Sequence, residues 1–119
     1  AVEGLEAAIA RAKSYVAAGA DAIFVEALTN ESEFRAFRKA IDVPLLANMT
    51  EFGKTPYTSI KQFENWGYNM VIFPMTLFRI AAFAMREGLR ELKTSGTQRD
   101  LLNRMQTRQE LYKLLKYTP

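Results

Sequence analysis

Three short apolar runs alternate with helical patterns along this chain, and this alternation restricts the possible folds more than any other feature. The runs are Ala22-Ile23-Phe24-Val25, Leu45 to Asn48, and Met70-Val71-Ile72-Phe73. Their starts lie roughly 23 to 25 residues apart, a spacing that is typical of repeated βα units. Such repeats build a parallel sheet with right-handed crossovers, either a doubly wound sheet or a (β/α)₈ barrel.

The number of strands indicates that these units are part of a larger fold. A free-standing doubly wound domain of this length usually has about five strands, and a complete (β/α)₈ barrel needs about 250 residues. The chain has 119 residues, and only three runs read as strands. We therefore expect an α/β fold that supplies about half of a TIM-type barrel, with extra helices at its C-terminal end.

Helix signals fill the intervals between the strand patterns. Polar residues are predicted to cap three helices: Asn30 with Glu33 and Thr107 with Glu110 in capping-box spacing, and Thr58 before a helix that carries Ile60, Phe63 and Trp66. Glycines are predicted to end helices at Gly19, Gly67 and Gly96. A long helix is predicted from about Leu77 to Lys93, and a short one from Thr97.

The aromatic residues are predicted to form the core, because most of them fall on strand patterns or on the apolar faces of helices. They are Phe24, Phe34, Phe37, Phe63, Trp66, Phe73, Phe78 and Phe83.

Composition excludes several classes of chemistry. The chain has no Cys and no His, which removes disulfides, thiolates and the commonest general base. No apolar run is long enough for a membrane-spanning helix. The net charge is +3, and the excess lies in residues 86–116, where eight Lys and Arg stand against four Asp and Glu. Because the acids are interspersed at helical spacing, we expect a solvated surface that binds neither nucleic acid nor membrane.

Polar side chains follow each strand pattern, at the ends where parallel α/β folds bind their ligands. They are Glu26 after the first strand, Asn48, Thr50 and Glu51 after the second, and Thr76 and Arg79 after the third. Glu26 could orient a metal-bound water or a substrate hydroxyl, or simply pair with a neighbouring cation. Asn48 suits a carboxylate or hydroxyl ligand, but it could equally bond within a turn.

Two arginines are candidates for anion binding. Arg79 lies in an apolar helix start and needs an anionic partner, which could be a ligand carboxylate or a buried Asp or Glu. Arg108 follows Thr107 at another helix start and could likewise bind a carboxylate, although solvation is its default. The segment 52–56 reads as a loop over the strand ends and lacks the glycines of a P-loop.

Several segments in order along the chain are typical of one enzyme family. The most specific are Ala47 to Pro56 (ANMTEFGKTP) and Met105 to Tyr112 (MQTRQELY); weaker ones include Phe24-Val25-Glu26-Ala27, Gly67 to Val71, Phe73-Pro74 with Phe78-Arg79, and Gly96-Thr97-Gln98. The chain resembles 2-methylisocitrate lyases, in the isocitrate lyase/phosphoenolpyruvate mutase superfamily, over essentially its whole length.

The resemblance implies a cytoplasmic, Mg²⁺-dependent carbon–carbon lyase of the methylcitrate route of propionate breakdown, which cleaves 2-methylisocitrate to pyruvate and succinate. It implies that Asn48, Met49 and Thr50 line the substrate carboxylates, Met49 through its backbone. It also places Arg79 and Arg108 facing the substrate, and Glu26 in the environment of substrate and metal, where it contacts the metal through water.

The resemblance also implies what this chain lacks. The family's Lys-Lys-Cys-Gly-His loop, which holds the catalytic acid, requires Cys and His, and the chain contains neither. The aspartates that organise the metal lie on earlier strands of the barrel. We therefore expect the C-terminal half of the barrel, with about strands 5 to 7 in residues 1–95, and no activity for this segment alone. The resemblance further implies that residues 96–119 are C-terminal helices of the kind that the family exchanges between the subunits of a homo-oligomer.

Three alternatives remain open at this point. One is a superfamily relative with another 2-oxoacid chemistry, such as oxaloacetate decarboxylation or phosphonomutase activity. Another is a standalone flavodoxin-like module, which predicts about five strands and an acidic pocket after the first. The third is a non-catalytic half-barrel that folds by self-association.

Overall fold

A computed structural model describes residues 2–118 of the chain. The elements are α1 (Gly4–Ala17), β1 (Ile23–Phe24), α2 (Glu31–Ala40), β2 (Leu45–Asn48), α3 (Ile60–Asn65), β3 (Met70–Ile72), α4 (Thr76–Ser95), a 3₁₀ helix (Arg99–Arg104) and α5 (Arg108–Leu115). They form two compact units, Ala1–Arg79 and Ile80–Pro119, with the division falling inside α4.

The first unit contains a three-stranded parallel sheet in the order β1-β2-β3. Leu46 lies in register with Phe24 on one side and with Met70 on the other, and Asn48 is in register with Ile72. The mixed α/β fold with a parallel sheet is therefore confirmed. The outer strands are shorter than their apolar runs, whereas β2 covers the four residues predicted for it.

The two faces of this sheet differ in burial. Side chains alternate between the faces of a strand, and on β2 the buried residues are Leu45 and Ala47. This face packs on a core drawn from α1, α2, α3 and the segments after β1 and β2, whose buried members are Ala12, Ile23, Val25, Leu28, Phe34, Phe37, Ile41, Leu45, Ala47, Met49, Phe63, Trp66 and Tyr68. The opposite face exposes Phe24, Met70 and Ile72.

Four aromatic rings join α2, α3 and the entry to β3. The ring of Phe34 stacks on Trp66 with centroids 5.1 Å apart. The rings of Phe63 and Tyr68 each contact the Phe34 ring edge-on, with centroids 5.3 Å away. The Tyr68 hydroxyl donates to the main-chain oxygen of Phe34 at 3.4 Å. Burial raises the pKa of the Tyr68 phenol, so this side chain is a neutral part of the core.

The prediction that eight aromatic residues lie in the core is wrong for four of them. Phe24, Phe73, Phe78 and Phe83 are 51%, 43%, 64% and 54% exposed. Phe24 and Phe73 accompany sheet strands, and a parallel sheet needs covering layers on both faces. Here the described helices bury one face, so the apolar side chains on the other remain exposed.

Local helix signals are largely confirmed. Gly19 and Gly67 have φ values of +105° and +85°, which end α1 and α3 in the left-handed conformation that favours glycine. A Cβ on Gly67 would also lie 2.9 Å from Cγ of Arg38. The Asn30 side chain accepts from the main-chain N–H of Glu33 at 3.0 Å, although the Glu33 carboxylate bonds Thr29 rather than returning to Asn30.

The predicted cap at Thr58 is wrong by one residue. Ser59 is the N-cap of α3 and forms a complete capping box with Gln62. Thr58 is buried, and its hydroxyl donates to the main-chain oxygen of Pro56 at 2.9 Å. A hydroxyl can form a hydrogen bond either within a turn or at a helix end. The packing of the preceding loop therefore decides whether Thr58 or Ser59 caps the helix. Of the three apolar residues predicted for this helix, Phe63 and Trp66 are buried and Ile60 is exposed.

The second unit consists of helices. The predicted long helix is confirmed as α4, and Gly96 follows its end with φ +66°. The short helix predicted from Thr97 is a 3₁₀ helix that begins at Arg99. The capping box of Thr107 and Glu110 is confirmed at the start of α5. Whether residues 96–119 pack on a partner subunit stays a prediction.

Candidate functional site

Asn48 ends β2 at the carboxyl edge of the sheet, where the sequence predicted a substrate-binding residue. The next residue, Met49, donates its main-chain N–H to the Ile72 oxygen at 2.8 Å, which fixes this edge against β3. The side-chain oxygen of Asn48 is shielded from solvent and has no hydrogen-bond partner among the described residues. A buried acceptor without a partner is costly, so this oxygen is available to a donor on a ligand.

The segment after Asn48 is an ordered loop. Met49 is buried, and its sulfur accepts the main-chain N–H of Thr58 at 3.2 Å. Thr50 is half-buried, and a Cβ on Gly53 would lie 3.0 Å from its methyl group. The hydroxyl of Thr55 donates to the main-chain oxygen of Leu28 at 2.8 Å, which ties this loop to the one after β1.

Arg79, the predicted anion binder, has an internal partner. Its Nη1 donates to the main-chain oxygen of Glu51 at 3.1 Å, and its Nε lies 3.8 Å from Oε2 of the same residue. The guanidinium carbon also lies 5.0 Å from the centre of the Phe52 ring. Of the two partners that the sequence allowed for Arg79, the structure therefore provides an acidic residue of the same unit.

Glu51 is the centre of this contact set, and sequence reasoning assigned it no role. The Thr76 hydroxyl donates to its Oε1, while Oε2 is shielded from solvent and has no hydrogen-bond partner among the described residues. The Thr76 hydroxyl, then the main-chain amide of Glu51 itself, and to a smaller extent Arg79 hold the pKa of Glu51 below its ordinary value. The carboxylate is therefore ionised at neutral pH. The position of Glu51 after a buried strand was the available signal.

Glu26 lies at the end of the neighbouring strand pattern. It is exposed, and its carboxylate accepts the main-chain N–H of Ala27 at 3.0 Å, where the chain turns with φ +59°. It lines a cleft of about 430 Å³ against α1 and β1, and a second of about 220 Å³ that also includes Glu33 and Lys54. The side chain therefore borders two open clefts, and its contact with a ligand stays a prediction.

The described residues do not form a metal site by themselves. Across residues 2–118, no group of three or more acidic side chains is placed to hold a metal ion. A hard divalent cation such as Mg²⁺ takes oxygen ligands from several groups, and Glu26 can supply only one carboxylate. Glu26 alone is therefore not a complete site, and its contact with a metal through water stays a prediction.

Arg108 is the exposed first helical residue of α5, in the second unit. That unit is described by itself, so the prediction that Arg108 faces the same substrate as Arg79 stays a prediction. Between residues 2 and 118, no helix is both long and apolar enough to span a bilayer.

Comparison with known proteins identifies the family. Residues 1–93 match the family described as phosphoenolpyruvate phosphomutase. The chain is 54% identical to a 2-methylisocitrate lyase of Aeropyrum pernix over 116 residues, and 55% identical to one of Bacillus subtilis over 117 residues. Each match covers 98% of this chain, and the chain spans 38% and 39% of the length of these two relatives.

Solved structures give the same assignment. A crystal structure of 2,3-dimethylmalate lyase, a phosphoenolpyruvate mutase/isocitrate lyase superfamily member, superposes with a TM-score of 0.85 and 33% identity over 95% of this chain and 39% of that chain. Phosphonopyruvate hydrolase in complex with oxalate and Mg²⁺ gives a TM-score of 0.77 and 26% identity, over 95% of this chain and 40% of that one. The chain therefore belongs to the phosphoenolpyruvate mutase/isocitrate lyase family.

Proposed function

We propose that this chain is part of a 2-methylisocitrate lyase, a carbon–carbon lyase that forms pyruvate and succinate. The observation that carries the proposal is the identity of 54% and 55% with two proteins of that name across 98% of the chain. The expectation made from the segments 47–56 and 105–112 agrees with it.

The carboxyl edge of the sheet binds the carboxylates and hydroxyl of the substrate in this proposal. Asn48 has a shielded side-chain oxygen for a hydroxyl donor, and its amide group can donate to a carboxylate. Thr50 contributes its hydroxyl, and Met49 contributes its main-chain oxygen, because its N–H is bonded to Ile72. Arg79 offers guanidinium donors beyond the one bonded to Glu51, and Arg108 is proposed to add a second cation.

Mg²⁺ is the proposed cofactor of the complete enzyme. A superfamily structure at 26% identity contains Mg²⁺ together with oxalate, which supports a divalent cation at this kind of site. Because residues 2–118 do not provide a set of ligands, the ligands and the catalytic acid would have to come from residues outside this chain. Glu26 would then orient a water molecule bound to the metal.

We propose further that the sheet is half of a (β/α)₈ barrel. The exposed face with Phe24, Met70 and Ile72 would line the barrel interior, which side chains from all strands normally fill. In the same proposal the helices after Gly96 pack on a partner subunit of a homo-oligomer. Their exposed apolar residues, which include Leu111, Leu114 and Leu115, support this arrangement.

A chimera tests the function directly. The chain would replace the matching 117 residues of the Bacillus subtilis relative, so that the rest of that protein supplies the missing strands. With Mg²⁺ present, we expect pyruvate release from 2-methylisocitrate, and none from this chain alone. The parent lyase is the positive control.

The choice of substrates separates the lyase from its superfamily alternatives. 2,3-Dimethylmalate, oxaloacetate and phosphonopyruvate would be assayed in parallel with 2-methylisocitrate. We expect kcat/KM to be highest for 2-methylisocitrate. A folded chimera that prefers one of the other acids would assign this segment to that chemistry, and a folded chimera with no turnover would overturn the proposal.

A further inference from the structure

The contact between Glu51 and Arg79 joins two polar segments that lie far apart in sequence. Glu51 belongs to the loop after β2, and Arg79 is 28 residues further on, in the first turn of α4. The residues are linked through the main-chain oxygen of Glu51 and, at 3.8 Å, through its carboxylate. A contact of this kind fixes the guanidinium relative to the end of β2.

The contacts of Arg79 also restrain the loop after β2. Phe52 has φ +61°, a left-handed backbone conformation that is uncommon for a bulky residue and that surrounding contacts must hold in place. Its ring lies beneath the Arg79 guanidinium, and its main-chain N–H donates to the Tyr57 hydroxyl at 3.4 Å. Arg79 is therefore held from two sides, by Glu51 and by Phe52.

Thr76 completes the arrangement on the helix side. Thr76 lies about one helical turn before Arg79, and its hydroxyl donates to Oε1 of Glu51. A carboxylate that accepts from Thr76 cannot rotate freely, so Oε2 stays near Nε of Arg79. The pair is also only partly screened, since the side chains of Arg79 and Glu51 are 38% and 25% exposed. Both features favour a fixed guanidinium over a mobile one.

We propose that Glu51 is the positioning residue for Arg79, and that it sets the affinity of this site for the carboxylate of the substrate. This inference rests on the proposed function for the identity of the substrate. Glu51 touches no substrate atom in this proposal. It acts by holding the cation in one orientation, so that no rotamer freedom is lost when the substrate binds.

Kinetics of Glu51 variants in the chimera test the proposal. Glu51→Ala should raise KM for 2-methylisocitrate by about tenfold or more while kcat changes much less, because ground-state binding is lost. Glu51→Gln keeps the length of the side chain and an acceptor for Thr76, but it places an amide donor where Oε2 faces Nε of Arg79, so KM should stay raised by more than about threefold. Glu64→Ala, an exposed acid on α3, is the matched control and should leave both constants unchanged.

A double-mutant cycle shows whether Glu51 acts through Arg79. If it does, Glu51→Ala should have no further effect on KM once Arg79 is replaced by Ala. Independent, multiplying effects of the two changes would overturn the proposal. So would a Glu51→Ala variant that lowers kcat and thermal stability with KM unchanged, since that pattern indicates a purely structural residue.

Hydrogen exchange of the loop after β2 tests the positioning role of Glu51 independently of which substrate the enzyme cleaves. In the chain itself, the amides of residues 52–54 should exchange faster in Glu51→Ala than in the parent or in Glu51→Gln. If the chimera fails to cleave 2-methylisocitrate but the loop responds in this way, only the proposed substrate is wrong. If the loop does not respond to Glu51→Ala, the positioning role is overturned whatever the substrate.

Discussion

The two compact units of the chain differ in how they bury apolar side chains. In Ala1–Arg79, residues from three helices and the sheet form one cluster in which Phe37, Phe63, Ile41 and Leu45 are almost completely buried. In Ile80–Pro119, none of the described helical residues is buried. Yet α4 and α5 carry apolar residues, such as Phe83, Leu89 and Leu114, at exposed positions.

This difference shows that a sequence can form regular helices without burying their apolar side chains in a core. Caps and helical spacing suffice to define α5, whose ends are satisfied by Thr107 and Glu110. Most helical stability in proteins nevertheless comes from packing of an apolar face. We therefore expect the first unit to carry the cooperative stability of the chain, and three experiments test this expectation.

The largest effect is expected from a core aromatic residue. Phe63→Ala should lower the free energy of unfolding by about 3–5 kcal/mol, because it leaves a cavity beside Trp66 and Phe34. Phe83→Ala, at an exposed position of α4, should change it by less than about 0.5 kcal/mol. Urea unfolding followed by fluorescence of the single Trp measures both. Equal losses of unfolding free energy in the two variants would show that the second unit also has a core and that this core stabilises the chain to a similar extent.

A medium effect is expected from helix caps, one in each unit. Asn30→Ala removes the acceptor for the main-chain N–H of Glu33 and should cost about 1 kcal/mol of global stability. Thr107→Ala removes the corresponding acceptor for Glu110, but it should only shorten α5. The midpoint of urea unfolding should therefore shift for the first variant, whereas the second should lose helical circular dichroism with an unchanged midpoint. A shift of the unfolding midpoint in both variants would contradict the expectation that the first unit alone carries the cooperative stability.

The smallest effect is expected from acid titration of two carboxylates. Thr76 lowers the pKa of Glu51 in the first unit, and the main-chain amide and hydroxyl of Thr107 lower that of Glu110 in the second. A group with a depressed pKa in the folded state contributes stability above its unfolded pKa and loses it as pH falls through the folded pKa. Each contact should therefore weaken below about pH 4.

Carboxyl chemical shifts measured by NMR between pH 7 and 2 would report both titrations. Glu110→Gln should remove the loss of α5 helicity in acid, while the loop after β2 should still respond through Glu51. Coincident loss of both regions in a single transition would show that the units unfold together.

The local structure was predictable wherever one or two neighbouring residues determine it. The strand Leu45–Asn48, the glycine ends of α1 and α3, and the capping box of α5 all followed from sequence spacing. The cap of α3 did not, because Thr58 and Ser59 offer the same hydroxyl chemistry, and only the packing of Thr58 distinguishes them.

The site was predictable as a set of residue types but not as a set of contacts. Residues from Asn48 to Arg79 were placed at the carboxyl edge because parallel strands bring their ends to one side. The sequence left open whether a ligand or an internal acid faces Arg79, and the answer depends on a contact across 28 residues. The placement of Glu26 and Arg108 against a substrate stays a prediction.

The order of helices and strands, the parallel α/β class and the family follow from the amino-acid sequence, because they depend on residue spacing and on identity at motif positions. Which aromatic side chains are buried and which acid holds Arg79 depend instead on tertiary packing. Burial depends on which face of the sheet the helices cover, and the Glu51–Arg79 contact depends on β2 and β3 lying side by side in register. Neither relation is encoded in any local stretch of the chain.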